Sequence, residues 1–146
     1  MSSARNQSLH EAIELFHFAF RAFTARPDEI LAQRGLARMH HRVLYFVARR
    51  PGQRVSDLLA TLGVSKQALH GPLRQLVDAA LVQVEPDPED RRGRCLSLTA
   101  EGKALESKLS ATQRDILSRV FRQQGADAEA GWRQIMAALA DEVRPE

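Results

Sequence analysis

The sequence predicts a mainly α-helical fold carrying one small β-hairpin. Apolar residues recur at the 3.6-residue helical period through most of the chain, and only between Leu81 and Thr99 does that period shorten to two. Glycine and proline fall between these segments as isolated punctuation, with no low-complexity linker and no internal repeat. A length of 146 residues with 44% apolar and 27% charged side chains fits one globular domain over 1–146 and excludes a mainly disordered or fibrous chain.

The first helix is expected over about Leu9 to Thr24, where Ala12, Leu15, Phe16, Ala19, Phe20 and Phe23 follow helical spacing, and Pro27 is expected to end it. A second fits Leu36 to Arg49, stopped by Pro51-Gly52. A short third helix fits Val55 to Leu62, with Ser56 and Asp57 in its first turn and Gly63 as its C-terminal stop. Ser65 then offers an N-cap for a helix running to about Ala80. Leu69, Leu73, Leu76 and Val77 gather on its core side, and Gln67, His70, Gly71 and Arg74 on the opposite, polar side. Pro72 lies inside this helix, where it removes the bond to the Ala68 carbonyl and is expected to bend the axis.

Beyond Leu81, Val82 and Val84 alternate with Gln83 and Glu85, and Leu96 and Leu98 alternate with Cys95 and Ser97. Two strands joined by Pro86 to Gly93 make a hairpin whose tip holds Arg91, Arg92 and Arg94. Thr99 caps a long helix from Ala100 to about Arg122, and a last helix from Asp127 to Val143 carries Trp132, Ile135, Met136 and Leu139. Apolar stripes therefore mark both ends of the chain.

The net charge of +3 is unevenly spread. Residues 34–94 hold 11 basic and 6 acidic side chains, a local +5, and the rest carries 10 against 12, or −2. That concentration points to a polyanionic partner at the middle of the chain. One cysteine, Cys95, forms no internal disulfide, the stretch Met1 to His10 is too polar for a signal core, and Val43 to Ala48 is too short to span a bilayer. A soluble protein of the reducing cytoplasm is expected. Cys95 is read as a small strand residue and not as a redox site. His40 and His41 project about 100° apart on a helix, and no histidine pair sits at i, i+4, so no metal is expected. Without a glycine-rich phosphate loop, a convincing carboxylate pair or a nucleophile with a placed base, neither an enzymatic activity nor a cofactor is expected.

Helix, short helix, turn, amphipathic helix and basic hairpin is the order of a winged helix-turn-helix, which lays one polar helix face in a major groove and extends its hairpin toward a minor groove or phosphates. Some winged helices bind proteins instead, so a protein-interaction module without specific DNA binding is the alternative. Pro51-Gly52 through Val55-Ser56-Asp57-Leu58-Leu59, then Leu62-Gly63-Val64-Ser65-Lys66-Gln67, Leu76-Val77, Leu81-Val82, Asp87-Pro88-Glu89-Asp90-Arg91-Arg92 and Leu98-Thr99-Ala100-Glu101-Gly102 resemble the MarR family of bacterial regulators. Asp90-x-Arg92 followed by Leu98-Thr99-x-x-Gly102 is the most specific part of that resemblance.

The resemblance implies a homodimer on a pseudo-palindromic operator. It places a winged helix-turn-helix lobe at 34–99 between N- and C-terminal dimerisation helices at 7–25 and 100–144. It implies that Arg92 enters the minor groove and that Asp90 orients the wing tip through a salt bridge. Ser65, Lys66, Gln67, His70 and Arg74 would face the DNA on the recognition helix, with Arg91 and Arg94 beside the wing arginine. A dimer also follows from selectivity, because one module contacts too few base pairs. A repressor released by a small aromatic or phenolic effector is expected, its pocket lined by His17, Phe20, Met39, Arg42 and Tyr45, with Arg42 as the cation for a carboxylate.

Overall fold

Local capping chemistry delimits most elements of the computed structural model, which describes residues 2–143. They are α1 (Ser2–Ala32), α2 (Arg38–Arg49), β1 (Gln53–Arg54), α3 (Val55–Leu62), α4 (Lys66–Asp78), β2 (Val82–Pro86), β3 (Arg94–Leu98), α5 (Ala100–Gln124) and α6 (Ala126–Asp141). The mainly helical fold with a small sheet is as expected. The chain divides into two compact units, one up to Thr112 and one from Gln113 onward.

The first helix corrects the expectation drawn from Pro27, which lies inside α1 and not at its end. Proline costs a helix interior about 3 kcal/mol, because it cannot donate to the carbonyl four residues back. The turn beyond it buries Ile30 and Leu31, each worth about 1.5–3 kcal/mol, and Pro27 is itself buried. Continuing therefore outweighs stopping. The stop is Gly35, at φ +69°, where Leu36 N–H returns to the Leu31 carbonyl (2.9 Å) and Gly35 N–H to that of Ala32 (3.1 Å). Leu36 is thus in the connection, and α2 begins two residues later than expected.

The third strand was not foreseen. β3 is the centre of an antiparallel sheet of order β1-β3-β2, with Gln53 opposite Leu96, Arg54 opposite Cys95 and Val82 opposite Leu98. Two residues are too few to show a period. They pair because Gln53 Nε2 donates to the Phe46 and Arg50 carbonyls (2.7 and 3.1 Å), which ties the end of α2 to the open edge of β3.

Leu44, Val47, Leu58, Leu69, Leu76, Leu81 and Leu96 are fully buried where α2, α3, α4 and the sheet meet. Val77, expected on the core side of α4, is exposed; Leu73 is half-buried. Gly71 explains how α4 passes through Pro72. A proline clashes with the Cβ of the residue before it in helical conformation, and glycine has none. In the second unit, Phe121 packs against Trp132 with ring centroids 5.2 Å apart, and the Arg133 guanidinium covers the Phe121 ring at 5.5 Å.

Candidate nucleic-acid interface

The exposed polar face of α4 begins at its cap. Ser65 Oγ accepts the Ala68 N–H at 3.1 Å, which satisfies one free donor of the first turn. That places Lys66, Gln67, His70 and Arg74 along one exposed side of the helix. Arg74 points along the helix to Asp78 (3.9 Å), a solvated pair worth little.

On the opposite side, α4 is fastened by a residue that sequence considered only as a metal ligand. His40 is buried; its Nδ1 accepts the Ala37 N–H at 2.9 Å, so Nδ1 carries no proton. Nε2 consequently holds the proton and donates to Gln75 Oε1 at 2.6 Å. One imidazole thus caps the start of α2 and grips α4. Among the described residues no group of three or more His, Cys, Asp or Glu side chains is placed to hold a metal ion.

The wing is a turn closed on itself and pinned from outside. Asp87 N–H donates to the Gly93 carbonyl and Gly93 N–H to the Asp90 carbonyl, both at 2.9 Å. Asp87 Oδ1 accepts the Glu89 N–H (2.9 Å), and Asp90 Oδ1 accepts the Arg92 N–H (3.0 Å). Arg54, from β1, reaches across with Nε to Asp87 Oδ2 at 2.7 Å, and its Nη2 lies 3.7 Å from Asp90 Oδ2. Bonding to the Glu89 N–H, and then to the Arg54 guanidinium, holds the Asp87 carboxyl below the usual carboxylate range; the same hydrogen bond raises Arg54. Arg91, Arg92 and Arg94 are left exposed around this turn. The ion-pair partner of Asp90 is Arg54, which no sequence signal marked: it stands 33 positions from Asp87, in a two-residue strand.

The five residues expected to line an effector pocket are placed on two helices. His17 and Phe20 are exposed on α1, and Met39, Arg42 and Tyr45 lie on α2, with Met39 and Tyr45 half-buried and Arg42 exposed. The cation next to Phe20 is Arg38, its guanidinium 5.2 Å from the ring centroid and hydrogen-bonded to Asp28 at 2.9 Å.

A capped amphipathic helix and an arginine-tipped hairpin on one small sheet define a winged helix-turn-helix protein. Residues 34–93 match the sequence profile of the MarR family. The chain is 43% identical over 136 residues to the HTH-type transcriptional regulator PetP of Rhodobacter capsulatus, spanning 93% of this chain and 82% of that one. It belongs to the MarR family of transcriptional regulators. Among solved structures it resembles NadR in complex with 4-hydroxyphenylacetate (TM-score 0.73, 24% identity, 88% and 90% of the two chains). It also resembles a cysteine-to-serine variant of E. coli MarR complexed with operator DNA (0.72, 21%, 90% and 95%). At such identities these likenesses speak to the fold.

Proposed function

We propose that the protein is a homodimeric repressor acting in the cytoplasm, which binds a pseudo-palindromic operator and is released by a small aromatic or phenolic effector. The observation that carries the DNA-binding mode is the pairing of two readers in one unit: the exposed Ser65, Lys66, Gln67, His70 and Arg74 face and the Arg92 turn. The helix suits a major groove and the tip the minor groove or phosphates beside it. No described helix is long and apolar enough to cross a membrane.

Exposed apolar stripes support the dimer. Leu9, Ile13, Phe16 and Phe20 repeat every three or four residues along α1, and Trp132, Ile135 and Leu139 do so along α6; Ile13 is 65% and Ile135 68% exposed. Exposed large apolar side chains aligned in stripes of this kind support an interface. For the effector, support comes from the aromatic acid bound to NadR and from the Arg38 guanidinium of α2 stacked over the Phe20 ring of α1.

The test is fluorescence anisotropy on labelled duplexes tiling the gene's upstream region, across a salt series, with wild type and Arg92→Ala compared. Tight binding to one fragment, a steep salt slope and a large loss in the variant are expected, followed by release with aromatic acids. Weak binding, equal on all fragments and indifferent to Arg92, overturns the reading in favour of a protein-interaction module.

A further inference from the structure

The wing turn carries three exposed arginines, Arg91, Arg92 and Arg94, close together in sequence. Like charges in sequence would splay it. The turn is instead neutralised from beneath by two carboxylates, and both converge on one cation from a distant strand. We infer that Arg54 is the positioning residue of the wing: it sets where Arg92 stands relative to the recognition helix, without touching DNA itself. The inference rests on the DNA-binding reading above.

Arg54 joins the two halves of the reader. Its backbone N–H donates to Asp57 Oδ2 at 3.2 Å and so starts α3, the helix that precedes the recognition helix. Its side chain spans the wing turn, holding Asp87 at the base and Asp90 at the tip. Asp90 in turn holds the Arg92 backbone N–H. The chain from α3 to the groove-reading arginine therefore has two polar links, guanidinium to carboxylate and carboxylate to amide. A guanidinium suits this place because its planar fork serves two acceptors at fixed angles, whereas an ammonium is a single point charge. Gly93 completes the seat: a Cβ there would lie 3.2 Å from Arg54 Cζ and 3.1 Å from Asp87 Cβ, so a side chain would push the guanidinium off the turn.

The experiment compares wild type, Arg54→Gln, Arg54→Lys, Arg92→Ala and the double variant Arg54→Gln/Arg92→Ala at matched thermal midpoints. Tryptic cleavage after Arg91 and Arg92, followed by mass spectrometry, reads the order of the turn without DNA. Anisotropy on the tightest upstream fragment reads its consequence. Arg54→Gln is expected to speed wing cleavage and to weaken DNA binding by about threefold to tenfold each, the range for loss of a partly exposed charge-assisted pair. Arg54→Lys should fall between. In the Arg54→Gln background Arg92→Ala should cost less than in wild type, because a loose arginine has less to lose. Wild-type cleavage rates in Arg54→Gln, or an Arg92→Ala effect of unchanged size in that background, overturn the inference. If Arg92→Ala costs nothing even in wild type, the DNA-binding mode of the wing fails, while the cleavage rates still decide whether Arg54 orders the turn.

Discussion

Gly102 lies in the first turn of α5, and its missing side chain is filled by another part of the backbone. A Cβ at this position would come within 3.0 Å of the Leu81 carbonyl carbon and closer still to its oxygen. That oxygen accepts the Thr99 N–H at 3.1 Å, and the Thr99 hydroxyl donates to the Ala80 carbonyl at 2.7 Å while accepting the Gly102 N–H at 3.0 Å. Neither neighbour is a flexible side-chain end, so in Gly102→Ala the start of α5 has to move off the Leu81 backbone. Overpacking of this kind costs about 1–3 kcal/mol. Straining two hydrogen bonds at the junction adds about 1 kcal/mol each. Against this, alanine gains about 1 kcal/mol over glycine in a helix. The net expectation is a loss of about 2–4 kcal/mol. Thermal melts followed by circular dichroism at fixed protein concentration should show a midpoint lower by about 6–12 °C at this chain length. Gly131→Ala is the control. It is also helical, but nothing lies within 4 Å of its Cβ, so its midpoint should rise slightly. A Gly102→Ala protein melting at or above wild type would falsify the steric account.

Further outcomes follow from single contacts. Ser65→Ala removes the acceptor of the Ala68 N–H and should cost about 1 kcal/mol in urea unfolding, with no change in slope. Ala80 sits at φ 59°, a left-handed conformation that costs a side chain about 1–2 kcal/mol. Ala80→Gly relieves that strain, loses part of it to the freer unfolded chain, and should raise the melting midpoint by about 1–4 °C; a lower midpoint would contradict the strain. His41 is buried with no hydrogen-bond partner for its Nε2, and desolvation pushes its pKa below the ordinary value against the pull of Glu106 and Asp28. The unfolded chain then binds a proton that the folded one refuses, so this contribution is complete above about pH 6.5 and is lost as pH falls through the folded value. Stability of wild type relative to His41→Gln should therefore fall between pH 7.5 and 5.5, and parallel curves would refute that burial penalty.

Features set by a few neighbouring residues were legible in the chain before it was folded. The α3 stop at Gly63, the Ser65 cap and the Thr99 cap each act within a turn of the residue that makes them, and the structure realises all three. The basic hairpin was legible for the same reason, since its turn formers and alternating strands are contiguous. For α1, local rules put the stop at Pro27, and the helix stops before Gly35 instead. The reason lies in packing: the gain that carries α1 past Pro27 comes from burying Ile30 and Leu31 in a core that does not exist until the other elements arrive.

The same holds for β1, which is a strand only because β3 offers an edge, and for the His40–Gln75 and Arg54–Asp87 links, whose partners stand 35 and 33 positions apart. Local propensity is written into adjacent residues. A side chain's distant partner is chosen by which surfaces chain closure brings within hydrogen-bonding reach, and no short-range pattern encodes that choice.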